Sequence, residues 1–259
     1  MSRFTITLPS NSSMNYHPNN TASQYATKLN EVIELDGSWE VVLLEASFPS
    51  KADNALSDKC FFTIHFPDKY VRVDLPAGYY WNADEIIVAL NLAQREKLRL
   101  LRGQDLYVMF RLSLRKTRFM VRITNSFVEK VSFSEDLACL LGFEPNKHYT
   151  GRPQQTAEHS VNLMGSLNLL YVYCDLLEQV LIGDTKAPLL RIVSRPPQTT
   201  LHTEHVTFNP VQYVPLQKKC FDSVAIYMMT DTGVPMPFSP GKSLAVLEFR
   251  RSAHPYLLI

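Results

Sequence analysis

Hydrophobic and polar positions alternate over short stretches along most of the chain, which is the pattern of half-buried β-strands. Near the N-terminus, Phe4, Ile6 and Leu8 alternate with threonines. A longer apolar run at 39–49 follows an Asp-Gly turn and ends in proline, as a strand does. Strands are therefore predicted from the first residues onward.

The strand pattern continues on both sides of the middle of the chain. The runs at 60–66 and 70–76 flank a Pro-Asp-Lys turn and predict a hairpin. Beyond residue 160 every apolar run has strand character, and the runs recur at intervals of roughly 15–25 residues. This spacing predicts a β-sandwich or barrel with long connections.

The segment 77–150 differs because it includes a helical pattern, with Ile86, Leu90 and Ala93 on one face at i, i+4 and i+7. Asn82 is a candidate N-cap, and Glu85 follows at the spacing of a capping box. A second, shorter helix is predicted between Ser134 as its cap and Gly142 as its end. Two strand runs between these helices predict another hairpin, so the segment is predicted to be an α+β insertion.

These patterns predict a mainly β fold with one α+β insertion. Four parts follow along the sequence: an N-terminal arm (1–25), the first part of the sandwich (26–76), the insertion (77–150), and the second part of the sandwich with a C-terminal tail (151–259).

Both ends of the chain are candidate subunit contacts. The strand of Phe4, Ile6 and Leu8 either adds itself to the sheet of a neighbour or is an ordinary first strand of its own domain. The chain ends after Pro255 in four apolar residues: Tyr256, Leu257, Leu258 and Ile259. Such an end docks either on its own domain or on another subunit, and the break at proline favours the second.

Composition narrows the function classes. The 259 residues are 46% hydrophobic, so the chain can bury a large core. A net charge of +1 gives no global case for binding nucleic acid or a membrane surface. No apolar stretch reaches the roughly 18 residues expected of a membrane span, and the N-terminus lacks the apolar core of a secretion signal. Four widely spaced cysteines indicate neither a zinc ribbon nor a disulfide framework.

Candidate catalytic groups are few. Asp175 and Glu178 lie just past an apolar strand, and Asp184 follows a glycine, so a pair of catalytic carboxylates and ordinary strand-end residues are both possible. The second interpretation is favoured. His202 and His205 have no evident further ligands for a metal. Without a nucleophile motif or a phosphate loop, the sequence predicts no enzyme, metal or cofactor.

Two features of the insertion are candidate binding surfaces. Tyr79, Tyr80 and Trp81 could stack on a sugar, although packing against the insertion's own helix is favoured. The segment 95–122 is rich in Arg and Lys with interspersed Phe, as in grooves that bind nucleic acid. A solvated hairpin tip and helix end are favoured there, and no dedicated nucleic-acid binding is expected.

Several stretches together resemble a known family. The segment NNTASQYATKLNEVIELDGSWEVVLLEASFPS resembles its N-terminal pattern. Further resemblance lies in LYVYCDLLEQVLIGDTKAPLLRIV, in the segment 209–251, and in LPAGYYWNADEIIVALN with VSFSEDLACLLGF. Together they look like the minor capsid (penton) proteins of Polinton/Maverick elements and related adintovirus- and virophage-like viruses. The segment 95–122 and the tail after Arg251 lie outside the resemblance.

The resemblance implies a single jelly-roll β-sandwich with an α+β insertion. It implies a structural protein of the virion that forms homopentamers at the icosahedral fivefold vertices, beside the major capsid protein of the same virus or element. The carboxylates near Asp175 would then shape loops and subunit contacts. The alternative is a β-sandwich binding module that recognises carbohydrate or a host receptor.

Overall fold

The computed structural model describes residues 3–56, 58–100, 105–115, 117–151, 153–195 and 202–252. Its helices are α1 (Ala83–Lys97), α2 (Glu135–Leu141) and a 3-10 turn at Gly165–Asn168. Its strands are β1 (Arg3–Pro9), β2 (Gln24–Glu34), β3 (Trp39–Pro49), β4 (Phe61–His65), β5 (Tyr70–Asp74), β6 (Val108–Leu112), β7 (Phe119–Ile123), β8 (Lys130–Phe133), β9 (His148–Thr150), β10 (Gln155–Thr156), β11 (Leu169–Cys174), β12 (Val180–Ile182), β13 (Thr185–Ala187), β14 (Leu189–Ser194), β15 (Thr203–Thr207), β16 (Val214–Pro215), β17 (Cys220–Met229) and β18 (Leu244–Arg251).

The chain divides into two compact units. One combines Met1–Ala52 with Ser166–Ile259, and the other, the inserted unit, is Asp53–Gly165. The inserted unit is thus longer than the segment 77–150 expected from sequence. The reason is pairing: β4 binds both β5 and β8, so the hairpin assigned to the sandwich lies in the inserted unit.

The first unit is a sandwich of two antiparallel sheets. One has the order β1-β18-β3-β15, with β16 also paired to β3, and the other has the order β14-β11-β17-β2. Counting only these eight principal strands along the chain, the orders are 1-8-3-6 and 5-4-7-2. This is the strand order of a jelly roll, and the inserted unit enters between its third and fourth strands. The mainly β fold and the sandwich with an α+β insertion are confirmed, and we call this part the jelly-roll unit.

Strand alternation builds the core of the jelly-roll unit. In β1 the threonines are exposed while Leu8 is fully buried. The inward positions of both sheets meet in one hydrophobic cluster, as expected for two sheets packed face to face. Its members include Leu8, Tyr25, Val41, Phe48, Leu170, Val172, Val224, Ile226, Leu247 and Phe249.

The inserted unit has its own core beneath two small sheets, β5-β4-β8-β9 and β10-β7-β6. Both helix starts expected from sequence are confirmed. The Asn82 side chain accepts a hydrogen bond from the Glu85 amide at 2.9 Å, and Ser134 caps α2. Gly142 ends α2 with φ +83°, and a Cβ there would lie 2.4 Å from the carbonyl oxygen of His159. Only glycine fits this turn.

A fully buried glutamine ties α1 to the neighbouring sheet. Gln94 is 0% exposed. Its Nε2 donates to the Val108 carbonyl at 2.9 Å, and its Oε1 accepts from the amides of Val108 and Tyr107 at 2.9 and 2.8 Å. The side chain therefore satisfies backbone groups of β6 that would otherwise be buried without partners.

Candidate functional site

Strands β1 and β2 each lie at an edge of a sheet in the jelly-roll unit. Within the described residues, β1 pairs only with β18, and β2 pairs only with β17. An edge strand presents unpaired amide and carbonyl groups that can bind a strand of another chain. These two edges are therefore candidates for an interaction site.

A groove of about 680 Å³ lies between β1 and β2. Phe4 and Ile6 line it from β1, and Leu29 and Ile33 line it from β2. These four side chains are half-buried and pack on the core beneath. We call this the apolar groove after these four side chains. Charged residues also line it: Glu31, Glu34, Asp36 and Arg251.

A bulge in β2 shapes one wall of the apolar groove. Lys28 pairs with Ser223 and Ile33 pairs with Phe221, so the residues 29–32 of β2 oppose a single residue of β17. Val32 lies in this bulge and is 56% exposed. Bulges of this kind redirect side chains and interrupt pairing, and here one presents an apolar side chain to solvent.

A cluster of charges holds β1 against β18. Glu248, buried on β18, accepts hydrogen bonds from Arg3 and from the Tyr213 hydroxyl. Burial disfavours ionisation of Glu248, but these two hydrogen bonds outweigh it and lower the pKa of the carboxyl below its ordinary value. Sequence reasoning missed this cluster, although an acid within the apolar run at 244–249 was a signal for it.

The candidate contact residues at the two chain ends differ in their positions. Phe4 and Ile6 line the apolar groove, whereas Leu8 is fully buried in the core. β1 is an ordinary first strand of its own sheet, because Phe4 pairs with Phe249 and Ile6 with Leu247. The C-terminal candidates lie outside the described residues: Tyr256, Leu257, Leu258 and Ile259.

The aromatic residues Tyr79, Tyr80 and Trp81 of the inserted unit also differ in their environments. Tyr80 packs against the core of its unit, and its hydroxyl donates to the Pro76 carbonyl at 2.7 Å. Trp81 is 39% exposed and meets Tyr79 edge to face, with ring centroids 5.1 Å apart. Packing against the inserted unit, the favoured expectation, therefore holds for Tyr80, whereas Trp81 is partly exposed.

The candidate carboxylates have structural partners or turn positions. Asp175 accepts from the Ala225 amide at 2.8 Å and from Lys218 Nζ at 2.6 Å. Glu178 is exposed, and Asp184 lies in the turn between β12 and β13. These contacts and positions agree with turn and strand-end residues.

His202 lies just before strand β15, and His205 lies within it. Along this strand His205 is exposed, with Nδ1 2.8 Å from the Ser47 hydroxyl, whereas Glu204 is buried 4.0 Å from Arg195. Neighbouring strand residues point to opposite faces, so Glu204 and His205 diverge.

Two features are absent from the described part of the chain. It contains no cluster of three or more His, Cys, Asp or Glu side chains arranged to hold a metal. None of the described helices combines the length and apolar character that crossing a membrane requires.

Comparison with known proteins finds similarity among solved structures. The crystal structure of the mavirus penton protein aligns over 96% of this chain and 99% of its own, with 12% identity and a TM-score of 0.48. A chain in the cryo-EM structure of the Sputnik virophage aligns over 97% and 98%, with 9% identity and a TM-score of 0.47. No protein-family model matches the sequence, and no curated protein is similar to it.

Proposed function

We propose that this chain is a structural subunit of a viral capsid, a jelly-roll minor capsid (penton) protein. Five copies form a homopentamer at each icosahedral fivefold vertex and contact the major capsid protein of the same virus or element. The protein acts in the virion by assembly, and the proposal assigns it no catalytic step and no cofactor.

The observation that carries the proposal is the strand order of the jelly-roll unit, 1-8-3-6 facing 5-4-7-2. Viral capsid proteins are among the main users of this architecture, together with lectins and cupins. The sequence resemblance to penton proteins of Polinton/Maverick elements and related viruses favours the capsid role within that group.

The apolar groove supplies the surface that assembly requires. Subunits of a ring use heterologous contacts, in which one surface of each copy meets a different surface of the next. The edges of β1 and β2 can form backbone hydrogen bonds with a segment of a neighbouring copy. Phe4 and Ile6 in the groove and Val32 on its rim offer apolar contacts to the same segment. We place one side of the ring contact there.

The first experiment is the solution mass by light scattering over a dilution series. We expect five times the chain mass of 29.6 kDa. Val32→Asp places a charge on the rim of the apolar groove and is expected to yield monomers, because burying an unpaired carboxylate in an interface is costly. Val88→Asp is the matched control, since Val88 is 57% exposed on α1 and Val32 is 56% exposed.

Two outcomes would contradict the proposal. One is a mass of a single chain at every concentration, with no pentamer captured by chemical cross-linking. The other is equal loss of the pentamer in both valine variants, which would remove the apolar groove from the interface. Circular dichroism of both variants distinguishes loss of assembly from loss of fold.

The C-terminal residues Tyr256, Leu257, Leu258 and Ile259 are proposed as a second subunit contact. Their removal from the chain is expected to lower the pentamer fraction at dilute concentrations while the fold persists. A deletion variant whose pentamer resists dilution as well as the full chain would rule this contact out.

The exposure of Trp81 favours a second candidate function, recognition of a carbohydrate or a host receptor by the inserted unit. An exposed tryptophan with a neighbouring tyrosine, here Tyr79, is suited to stacking on a sugar ring. Glycan binding by a monomeric chain that is lost in Trp81→Ala would favour this function over the capsid role.

A further inference from the structure

Positive charge is concentrated in one part of the inserted unit. Between residues 95 and 122 the sequence has nine Lys and Arg (Arg95, Lys97, Arg99, Arg102, Arg111, Arg115, Lys116, Arg118, Arg122) and two acids (Glu96, Asp105). The whole chain, by comparison, carries a net charge of only +1. The capsid role does not account for this local excess.

The hairpin of β6 and β7 brings three of these arginines to one groove. β6 and β7 pair from Val108 with Ile123 to Leu112 with Phe119. Arg111, Arg115 and Arg118 line a groove of about 900 Å³ at this end of the hairpin. We call it the arginine groove.

The three guanidinium groups are available for a ligand. All three arginines are exposed, and none forms an ion pair within the part of the chain that the structure describes. No carboxylate is among the described residues that line the arginine groove. Three like charges gathered without a counter-charge repel one another, and an anion would relieve that repulsion.

The remaining lining indicates the chemical class of the anion. A guanidinium fork matches two oxygens of a carboxylate or phosphate group, and a sulfate presents the same tetrahedral oxygens as a phosphate. Ser113, Thr117 and Gln154 add hydroxyl and amide groups that can hydrogen-bond to sugar hydroxyls. Leu112, Leu114 and Met120 add apolar surface that can contact the carbon faces of a sugar ring. No aromatic ring is among the described lining residues, so the groove lacks the stacking platform on which single-stranded nucleic acids bind.

We propose that the arginine groove binds a sulfated polysaccharide, with Arg111, Arg115 and Arg118 holding its sulfate groups. The site is distinct from the Tyr79 and Trp81 cluster, and it does not depend on the capsid role.

The test measures binding of a heparin-derived decasaccharide to the full chain by calorimetry at several salt concentrations. We expect affinity that falls as salt rises, because binding releases counterions from the polyanion. The triple variant Arg111→Gln, Arg115→Gln, Arg118→Gln is expected to bind at least about tenfold more weakly, since three charge-assisted hydrogen-bond donors are lost. The control variant Lys59→Gln, Lys69→Gln, Lys130→Gln removes the same charge elsewhere in the inserted unit and is expected to retain most of the affinity.

Four results would overturn the proposal: no binding by the native chain, equal weakening in both triple variants, equal binding of the desulfated decasaccharide, or equally tight binding of single-stranded DNA of the same charge. The first two would reject the site, and the last two would reject the ligand class. Solution mass is measured in parallel, so failure of pentamer formation is recorded separately from failure of glycan binding.

Discussion

The two grooves of this chain differ in how they are built. The apolar groove of the jelly-roll unit is lined by Phe4, Ile6 and other side chains that also pack on the core. The arginine groove of the inserted unit is lined by long side chains that stand in solvent, such as Arg115. The first surface is part of what stabilises its unit, whereas the second is carried by its unit without stabilising it.

This difference determines what substitutions can do. A change beneath the apolar groove is expected to lower the free energy of unfolding before any effect on assembly can be measured. A change in the arginine groove is expected to alter binding alone.

The largest effect is expected beneath the apolar groove. Phe249 is fully buried and stacks on Phe4 with ring centroids 4.8 Å apart. Phe249→Ala should lower the free energy of unfolding by roughly 3–5 kcal/mol, because it leaves a cavity in the core. Urea denaturation measures the loss. Phe127→Ala, at a side chain that is 72% exposed, is the control, and a similar loss there would contradict the argument.

The hydrogen bonds that tie α1 to the start of β6 are expected to be almost as important for stability as the core. Gln94→Leu leaves the amides of Tyr107 and Val108 and the Val108 carbonyl without their partner. Buried unsatisfied groups are costly, so the free energy of unfolding should fall by about 3 kcal/mol. Denaturation of Gln94→Leu beside Glu96→Gln, an exposed change on the same helix, checks this. Equal stability of the two would show that the buried amide is dispensable.

The charge cluster at β1 should make stability depend on pH. The folded-state pKa of Glu248 is lowered, so its contribution is present above the ordinary carboxyl pKa and is lost as pH falls through the folded value. Glu248→Gln should therefore be less stable than the native chain at neutral pH, with the difference shrinking on acidification. Denaturation from pH 7 downward measures this. The exposed Glu178→Gln should follow the native curve, and a constant difference for Glu248→Gln would refute the assignment.

The smallest effect is expected in the arginine groove itself. The triple variant of Arg111, Arg115 and Arg118 should change the free energy of unfolding by no more than about 0.5 kcal/mol, because exposed side chains without partners stabilise little. Relief of their mutual repulsion would even favour the variant. A loss as large as that of Gln94→Leu would mean that the arginines belong to the framework of the inserted unit.

Local features of the fold were predictable from sequence because their signals lie within a few residues. The caps at Asn82 and Ser134, the glycine end of α2 and the β6–β7 hairpin all follow from such short-range patterns. The start of the inserted unit was not predictable in this way. β4 pairs with β8, far along the chain, and the alternation of residues in β4 does not specify which strand it will pair with.

The candidate site was likewise predictable in its local features and not in its long-range contacts. Phe4 and Ile6 were recognisable as apolar residues of a strand, but whether that strand joins its own sheet or a neighbour's depends on β18 at the other end of the chain. Charge density between 95 and 122 was visible in the sequence, while the gathering of three arginines at one groove required the hairpin register.

By itself, the sequence determined the mainly β class, the helical character of the insertion and the positions where helices begin and end, because propensity, capping and alternation act between near neighbours. The jelly-roll order, the sheet to which β1 belongs, the lowered pKa of buried Glu248 and the shape of both grooves depend on the tertiary structure. Each of these depends on contacts between residues distant in the chain, such as Arg3 with Glu248, and a local pattern does not specify which distant partner it will meet.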